Sequence, residues 1–351
     1  MNGDTAMKNE LLHKIIDINN YAIFDGYAKA NSVMNRSSTV LCSISGGSDS
    51  DIVLDIIRNI DDSDKVTYFW VDTGLEYLAT KEHLKYLEQK YGIEIKCIKA
   101  CKPIPACCKQ YGVPFLSKYV SEQMMRLQKH NFQWEDEPLE VLLKKYPHCK
   151  TALQWWCNAR YSDENGVQQM SRFSINRNKW LKEFIMQNPP DFRISNKCCE
   201  YAKKLPAKKF IKETDADLEI TGIRKYEGGI RAANYKTCFS NSKSKGCDTY
   251  RPLFWYTDGD KKAYEEHFEI QHSRCYTEYG LKRTGCVGCP FNKHINEELE
   301  IIKLNEPELY KAAVNIFGKS YEYTRKYREF VKMMKAKEKE EKKHDELLIN
   351  T

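Results

Sequence analysis

Residues 45–50 read Ser-Gly-Gly-Ser-Asp-Ser, and their types and spacing point to phosphate chemistry. Glycine lets the backbone approach a ligand closely, and serine adds hydroxyl donors. An apolar run at residues 40–44 precedes the loop, and apolar residues at helical spacing follow it between residues 53 and 60. A strand, a glycine loop and a helix in this order direct backbone N–H groups and a helix N-terminus at one point, which is an anion site. The residues expected to bind a phosphate or pyrophosphate are Ser45, Gly46, Gly47, Ser48, Asp49 and Ser50.

Two glycines alone are equally compatible with an ordinary strand-to-helix turn. The loop is not a Walker loop, because the Gly-Lys-Ser/Thr ending is missing, and it is not a dinucleotide fingerprint. The flanking serines and Asp49 make it more specific than the glycines would be.

A second constellation consists of cysteines. Cys198 and Cys199 are adjacent, and Cys286 and Cys289 form a Cys-x-x-Cys pair with glycines beside the thiols. Four thiolates suit an iron–sulfur cluster or a zinc ion. Zinc sites usually draw both pairs from Cys-x(2–4)-Cys knuckles, so the adjacent pair favours the cluster. A zinc site and inert core cysteines remain the alternatives.

The other ten of the 14 cysteines carry weaker signals. Cys107 and Cys108 could form a second metal or redox pair, and Cys101 lies in the same irregular stretch. Cys42 and Cys97 fall in predicted strands, where we expect them to be buried small apolar residues.

Composition restricts the class of protein. The 351 residues include 56 Lys and Arg against 49 Asp and Glu, a net charge of +7 that permits an anionic substrate or nucleic acid. The sequence starts without the apolar core of a signal peptide, and no apolar run approaches the length of a membrane span. We therefore expect a cytoplasmic protein with no membrane partner, in which cysteines serve metal or redox chemistry rather than disulfides.

Strands alternate with helices around the glycine loop. A second strand is predicted at 66–71, a third at 93–98, and the sheet resumes at 217–221. This order predicts an α/β fold with a doubly wound, mostly parallel sheet. Ligands of such sheets bind at the carboxyl ends of the strands, so loop 45–50 and the segment Asp72-Thr73-Gly74-Leu75-Glu76 should face one crevice.

Five segments follow from this pattern. They are an N-terminal helical segment at 1–37, the first part of the nucleotide-binding domain at 38–100, a helical insertion at 101–196, the second part of that domain with the four-cysteine site at 197–293, and C-terminal helices with a charged tail at 294–351. Helices are predicted in the insertion at 117–130 with Ser117 as cap, from Asp136 to before Pro147 with Pro138 in the first turn, and at 174–187. Residues 335–343 should form a solvated helix or a frayed tail.

Several ordered motifs together resemble a known family. Residues 45–50, Asp72-Thr73-Gly74 with Glu76, Cys198-Cys199, Thr221-Gly222-Ile223-Arg224 with Arg231, and the stretch 251–258 are similar to motifs of the phosphoadenylylsulfate (PAPS) reductase family, within the adenine-nucleotide alpha-hydrolase superfamily. The Cys-Cys … Cys-x-x-Cys pattern resembles the cluster-binding form of adenylylsulfate reductase. The similar segments are 38–100 and 197–293.

The resemblance implies roles for individual residues. It implies a [4Fe–4S] cluster, or alternatively zinc, on Cys198, Cys199, Cys286 and Cys289. Asp49 and Asp72 could hold Mg²⁺ against ATP, with helix and turn capping as the alternative. The implied catalytic residues are Asp49, Arg224 and Arg231. The implied nucleotide contacts beyond loop 45–50 are Asp72, Thr73, Gly74, Glu76, Gly222 and Arg224.

One feature departs from the family. Its reductases attack the sulfonyl sulfur with a cysteine near the C-terminus, and no cysteine follows Cys289 in this sequence. The favoured function is therefore an ATP pyrophosphatase that adenylates an acceptor for sulfur transfer. The alternatives are a sulfonucleotide reductase that releases sulfite and a non-catalytic nucleotide or redox sensor in a complex.

The expected partners are an adenine nucleotide, a nucleic-acid or protein sulfur acceptor, and a sulfur donor protein. The sequence does not define the oligomeric state. Aromatic and basic residues of the insertion are compatible with nucleic-acid binding, but helix packing is the favoured role of the tryptophans. These residues are Trp155, Trp156, Arg160, Arg172 and Arg177.

Overall fold

The computed structural model describes residues 11, 13–162, 165–171, 173–228, 234–242 and 246–349. Two compact units are formed. The first comprises Met1–Pro103, Tyr201–Val287 and Leu304–Glu306, and the second comprises Ile104–Glu200, Gly288–Lys303 and Pro307–Thr351. Two predicted functional residues, Arg172 and Arg231, lie outside the described residues.

The strands of the described residues are β1 (Val40–Ser43), β2 (Val66–Asp72), β3 (Ile95–Lys99), β4 (Tyr161–Ser162), β5 (Gln168–Gln169), β6 (Leu218–Ile220), β7 (Phe239–Ser240) and β8 (Asp248–Tyr250). The first unit contains one sheet with the order β3-β2-β1-β6-β8-β7. All neighbouring pairs in this sheet are parallel except β7 with β8. The second unit contains the antiparallel pair β4 and β5.

The helices are α1 (Tyr21–Asn35), α2 (Ser48–Ile60), α3 (Leu78–Tyr91), α4 (Ile104–Tyr111), α5 (Lys118–Lys129), α6 (Leu139–Lys145), α7 (Lys150–Trp156), α8 (Leu181–Gln187), α9 (Lys197–Cys199), α10 (Leu205–Glu213), α11 (Asp258–His267), α12 (Arg274–Thr277), α13 (Ile295–Asn305) and α14 (Pro307–Ile349). A π-helical turn, Glu200–Lys204, joins α9 to α10. None of the helices in the described ranges combines the length and the apolar character needed to cross a membrane.

Apolar side chains cover both faces of the sheet, because successive residues of a strand point in opposite directions. Val40 and Cys42 of β1 belong to the larger core, which also contains residues of α1 and α2. Leu41, between them, belongs to a smaller core on the other face, with Phe69 of β2. The Phe69 ring lies 5.2 Å from the Phe210 ring of α10. The predicted α/β fold with a doubly wound, mostly parallel sheet is confirmed.

The strand order places three motif-bearing segments side by side. β1 pairs with β2 on one side and with β6 on the other, with Cys42 opposite Tyr68 and Ile220. The carboxyl ends of these parallel strands therefore lie at one edge of the sheet. The segments that follow them are loop 45–50, residues 73–76 and residues 221–224.

The second unit has its own aromatic core, shared by the insertion and the C-terminal helices. Phe115 and Phe184 pack against Tyr323 of α14 with ring centroids 4.8 Å and 5.0 Å away. Trp155 and Trp156 of α7 are buried in the same core, so the prediction that these tryptophans pack between helices is confirmed. The predicted insertion and C-terminal extension thus contribute to one folding unit.

Two helices of the insertion differ from the prediction. The helix expected at 174–187 is a 3-10 turn at Ile175–Arg177 followed by α8, because Trp180 between them has a left-handed backbone with φ +57°. The helix expected from Asp136 begins at Leu139, and Pro138 caps it in an extended conformation. The helix capped by Ser117 is confirmed, since the Ser117 hydroxyl accepts from the Val120 N–H at 3.2 Å.

The C-terminal helix α14 is longer than expected. It spans 43 residues and includes residues 335–343, which the charge pattern predicted as a solvated helix or a frayed tail. Among the residues whose side chains are described, its apolar contacts with the core of the second unit extend as far as Phe330 and Met334.

Candidate functional site

The loop at residues 45–50 is held in shape by its own side chains. The Ser50 hydroxyl donates to the Gly47 carbonyl at 2.7 Å and accepts from the Gly47 N–H at 3.1 Å and the Ser45 N–H at 3.2 Å. Gly46 adopts φ +66°, and a Cβ there would lie 2.7 Å from Thr80 Cγ2. Glycine is therefore required at this position both for its backbone conformation and for space.

The loop leads directly into α2, whose first turn carries the orphan N–H groups of a helix N-terminus. Gly47 is the N-cap residue of α2. Gly222, which follows β6, passes close to this turn, and a Cβ on it would lie 3.2 Å from the carbonyl carbon and oxygen of Asp49. Residues 221–224 can thus approach the phosphate loop because residue 222 lacks a side chain.

Asp49 in the first turn of α2 holds two cations beside the loop. Both Asp49 carboxylate oxygens accept from Arg224 Nε at 3.1 Å, and Oδ1 is 2.8 Å from Lys261 Nζ. Burial raises the pKa of Asp49, but the Lys261 ammonium and the Arg224 guanidinium lower it further, so the net pKa lies below its usual value. Arg224 Nη1 also donates to Asp258 at 2.9 Å. The carboxylate therefore remains ionised and fixes both cations.

A chain of charged groups continues from Lys261 into the interior of the first unit. Lys261 Nζ donates to the Ser48 hydroxyl at 2.5 Å and lies 3.6 Å from Glu265. Glu265 contacts His272 Nε2 at 2.8 Å, and the other ring nitrogen of His272 is 2.8 Å from Asp51 Oδ2. Burial lowers the pKa of His272, but its two carboxylate partners raise it to about 9. His272 is therefore a cation at neutral pH.

Tyr276 connects the loop to a second chain segment. Its hydroxyl accepts from the Ser48 N–H at 3.2 Å and from the Thr284 N–H at 3.1 Å, and it lies 3.0 Å from the Thr284 hydroxyl. Two backbone N–H groups thus converge on one oxygen atom. This is the arrangement that binds an anion when an anionic oxygen takes that position.

These groups surround a cleft of about 500 Å³ in the first unit. Its described lining contains Arg224, Lys261, Lys282 and Arg283 as cations. The carboxylates of that lining are those of Asp49 and Glu227. Excess positive charge, a helix N-terminus and a serine-rich loop together suit a polyanion such as a triphosphate.

The structure brings seven of the predicted nucleotide contacts together in the lining of this cleft. They are Ser45, Gly47, Ser48, Asp49, Ser50, Gly222 and Arg224. Gly46 shapes the same loop. Arg231, predicted to be catalytic, lies outside the described residues.

The segment after β2 is not part of the described lining. Asp72 Oδ1 accepts from the Gly74 N–H at 2.9 Å, and Oδ2 accepts from Lys99 Nζ at 3.1 Å, so this carboxylate caps a turn. Thr73 donates to Glu76, a buried carboxylate whose pKa is raised by burial. The carboxylates of Asp49 and Asp72 thus both accept hydrogen bonds from cations or N–H groups.

Sequence reasoning missed several cleft residues, namely Lys261, Tyr276, Lys282, Arg283 and Thr284. In the sequence, Lys261 lies four residues before Glu265, and this spacing on a helix indicates an ordinary exposed ion pair. Lys282 and Arg283 directly precede the Gly-Cys of the second cysteine pair. Their closeness to that pair was a signal that these cations belong to a site.

Three of the four predicted cluster cysteines, Cys198, Cys199 and Cys289, lie in the second unit. Cys198 makes hydrogen-bond contacts with Cys108 and Cys199. The Cys108 contact, burial and the charge of Cys289 raise the pKa of Cys198 above its usual value, whereas the Cys199 contact lowers it. Helix α4, which carries Cys108, packs against α9. Cys286 belongs to the first unit, where its Sγ is 3.9 Å from Thr73 Oγ1.

The all-thiol donor set of the predicted ligands suits the chemistry of an iron–sulfur cluster. Within the described residues, no three His, Cys, Asp or Glu side chains are arranged so that they could hold a metal ion. Cys108 is a further thiol, in contact with Cys198, that the spacing of the motif did not predict.

Comparison of the sequence with known protein families identifies one match. The profile of the phosphoadenosine phosphosulfate reductase domain matches residues 39–189 and 160–292, which together make up more than half of the chain. The uncharacterized protein MJ0066 of Methanocaldococcus jannaschii is 23% identical over 316 residues, 88% of this chain and 48% of that protein. This chain therefore spans about half the length of that relative.

Solved structures show weaker likenesses. The phosphoadenylyl-sulfate reductase of Candida auris, in a phosphate complex, is 14% identical with a TM-score of 0.37, covering 71% of this chain and 81% of that one. The U34-tRNA thiolase NcsA of Methanococcus maripaludis, with its [4Fe-4S] cluster, is 13% identical with a TM-score of 0.37, covering 89% and 80%. The NH3-dependent NAD synthetase of Campylobacter jejuni, in complex with nitrate, is 12% identical with a TM-score of 0.34, covering 86% and 93%. Similarity at this level does not establish a shared activity.

Proposed function

We propose that this chain, which belongs to the phosphoadenosine phosphosulfate reductase domain family, is an ATP pyrophosphatase that adenylates an acceptor for sulfur transfer. The observation that supports this is the polycationic cleft of about 500 Å³ around the serine-glycine loop. A triphosphate matches its charge, its N–H donors and its position at the carboxyl ends of parallel strands.

The first step would be attack on the α-phosphorus of ATP. An acceptor oxygen forms a bond to that phosphorus, the bond to the bridging oxygen breaks, and pyrophosphate leaves with the electron pair. Mg²⁺ enters with ATP as part of the substrate. Loop 45–50 would receive the pyrophosphate, and the cations that Asp49 fixes, Arg224 and Lys261, would stabilise the charge that develops on it.

The second step would transfer sulfur at the oxidation level of sulfide. The sulfur forms a bond to the carbon or phosphorus that carries the adenylated oxygen, the bond from that atom to the oxygen breaks, and AMP leaves with the oxygen and the electron pair. No external oxidant or reductant is needed, because sulfur enters as sulfide and remains sulfide-like in the product.

The cluster ligands in this proposal are Cys198, Cys199, Cys286 and Cys289, with zinc as the alternative occupant. When bound, such a cluster would supply iron that can bind or relay sulfur. Cys108, in contact with Cys198, would lie beside it.

The test is pyrophosphate release by the anaerobically purified full-length protein, given MgATP, sulfide and mixed transfer RNA or single-stranded DNA. We expect release that depends on one of these acceptors. Lys261→Met removes a charge-assisted contact, so we expect ATP binding to weaken by about tenfold or more. Lys262→Met is the matched control, because Lys262 is the next residue of α11 and its side chain is 74% exposed.

Three results would contradict the adenylation reaction. Sulfite release from adenylylsulfate or phosphoadenylylsulfate, without pyrophosphate release from ATP, would identify a reductase, the activity after which the family is named. ATP binding without turnover with any acceptor would favour a sensor. An equal loss of ATP affinity in the Lys261 and Lys262 variants would show that the cleft is not the nucleotide site.

A further inference from the structure

The hydroxyl of Tyr276 lies where an anion oxygen would bind to loop 45–50. It accepts from the Ser48 N–H at 3.2 Å and from the Thr284 N–H at 3.1 Å. The Thr284 hydroxyl lies 3.0 Å from the same oxygen. These two N–H groups take up the acceptor positions of the phenol oxygen. An anion that binds to the Ser48 N–H must therefore displace the phenol.

The Ser48 N–H donates to a side chain outside the loop, whereas three other N–H groups of the loop donate within it. The N–H groups of Ser45 and Gly47 donate to the Ser50 hydroxyl, at 3.2 Å and 3.1 Å. The Ser50 N–H donates to the Gly47 carbonyl at 2.8 Å. These internal contacts hold the shape of the loop. The contact between Ser48 and Tyr276 joins residues 228 positions apart, so it can be exchanged for a ligand while the internal contacts persist.

The tyrosine reaches the loop because residue 47 has no side chain. A Cβ on Gly47 would lie 3.3 Å from the Tyr276 hydroxyl and 3.2 Å from the Thr284 hydroxyl. Both distances are shorter than the usual separation of about 3.5–4.0 Å between non-bonded atoms. Tyr276 and Thr284 are half-buried and line the cleft of about 500 Å³. The phenol therefore contacts the loop from the side on which the cleft would hold an anion.

A neutral phenol is a weaker acceptor for these N–H groups than an anionic oxygen. Hydrogen bonds to a charged acceptor are about twice as strong as hydrogen bonds between neutral groups. The described lining of the cleft also carries four cations against two carboxylates, which attract an anion but not a phenol. Exchange of the phenol for an anion is therefore favourable. The hydrogen bonds of the phenol must be broken first, and this requirement lowers the affinity for the anion.

The same oxygen also binds the segment that carries two of these cations. Lys282 and Arg283 directly precede Thr284, are exposed and line the cleft. An anion in the place of the phenol would accept from the N–H groups of both Ser48 and Thr284. It would thereby contact the loop and the cationic segment together.

We propose that Tyr276 is an autoinhibitory contact, which closes the phosphate loop in the absence of ligand and is displaced when the pyrophosphate part of the nucleotide binds. This inference rests on the proposed function, for which it specifies how binding at the same site is regulated. A phosphate oxygen replaces the phenol oxygen between the N–H groups of Ser48 and Thr284. The contact lowers the affinity of the loop for any anion that uses the Ser48 N–H.

The test is calorimetric titration of inorganic pyrophosphate into the full-length protein and its variants at fixed pH and salt. Tyr276→Phe removes the competing oxygen and keeps the ring, so we expect pyrophosphate to bind about threefold to tenfold more tightly than it binds to the unaltered protein. Tyr276→Ala also removes the ring, and we expect at least the same gain. Tyr21→Phe, at an 82% exposed tyrosine of the same unit, is the control and should bind like the unaltered protein.

Circular dichroism melting establishes that each variant is folded and gives a second readout. Without ligand, Tyr276→Phe should melt at a lower temperature than the unaltered protein, because two N–H groups lose their acceptor. Saturating pyrophosphate should raise the melting temperature of Tyr276→Phe by more than it raises that of the unaltered protein. If neither folded Tyr276 variant binds pyrophosphate more tightly than the unaltered protein, the autoinhibitory contact is overturned.

Pyrophosphate release from MgATP, measured on the same samples, separates this inference from the proposed function. If release is absent but the Tyr276 variants bind pyrophosphate more tightly, the adenylation reaction is rejected and the autoinhibitory contact stands. If release occurs but the variants show no gain in affinity, the autoinhibitory contact is rejected and the adenylation reaction stands.

Discussion

Replacing His272 by glutamine should remove a buried cation and change how stability depends on pH. His272 lies between Asp51 and Glu265 at 2.8 Å from each, and its side chain is 14% exposed. His83 contacts the same Asp51 oxygen from α3, and the Tyr276 ring lies 5.8 Å from the imidazole. These neighbours define the environment in which the imidazolium is stabilised.

The magnitude follows from the pKa of His272, which rises from 6.5 to about 9 on folding. A raised pKa stabilises the folded protein fully below about pH 6.5, and the stabilisation is lost as the pH rises through about 9. At about 1.4 kcal/mol for each pH unit, the upper bound is about 3 kcal/mol, and solvent screening reduces it. The stability difference between the unaltered protein and His272→Gln should therefore be largest in mild acid and smallest above about pH 9.

The assay is urea unfolding of both proteins across this pH range, under reducing, anaerobic conditions and followed by circular dichroism. His267→Gln is the control, because His267 is an exposed residue of the same unit, and we expect a change within about 0.5 kcal/mol at every pH. A stability difference for His272→Gln that is the same at all pH values would show that the imidazole is not charged in the folded protein, and would refute the charge chain from Asp51 to Lys261.

Three further substitutions test the two sites. In Gly46→Ala, alanine must adopt a left-handed backbone, and its Cβ comes too close to Thr80. The free energy of unfolding in urea should therefore fall by about 1–2 kcal/mol, and calorimetry should show weaker ATP binding. Unchanged values would contradict the loop geometry. Tyr276→Phe leaves two N–H groups without their acceptor, so the free protein should lose about 1–3 kcal/mol in the same unfolding assay, whereas the exposed Tyr226→Phe should not; equal effects would remove Tyr276 from the site. Cys198→Ser should lose most of its iron in metal analysis, whereas the exposed Cys97→Ser should retain it; equal iron in both would place the cluster elsewhere.

The sheet and its loop could be predicted because their signals are local. Short apolar runs, glycines and intervening helical spacing define strand, loop and helix within a few residues. The parallel sheet then places the loop after β1 next to the segment after β6. Seven predicted contacts reach the cleft for this reason.

Other features depend on neighbours that the sequence does not reveal. Cys42 is buried as expected, but Cys97 was wrongly predicted to be buried, because β3 is an edge strand with one partner. The helix expected at 174–187 is interrupted by the left-handed backbone conformation of Trp180. A tryptophan in the sequence does not predict this conformation. The contact between Lys261 and Ser48 joins residues 213 positions apart, which spacing cannot predict.

The sequence predicts only part of the group of cysteines around Cys198. Adjacent Cys198 and Cys199 and the Cys-x-x-Cys pair stand out in the sequence, but Cys108 reaches Cys198 only because α4 packs against α9. The approach of α4 to α9 is a tertiary contact between segments about ninety residues apart, and local pattern reasoning does not provide it.

The most direct test of the central claim is calorimetric titration of MgATP and of adenylylsulfate into one anaerobic, metal-analysed preparation of the full-length protein. We predict that MgATP binds more tightly than adenylylsulfate, and that the preparation contains about four irons and four sulfides per chain, as a [4Fe–4S] cluster requires. Tighter binding of adenylylsulfate with release of sulfite would contradict adenylation and identify a reductase. One zinc without sulfide would make the cysteines a structural site and remove the reason for assigning sulfur transfer.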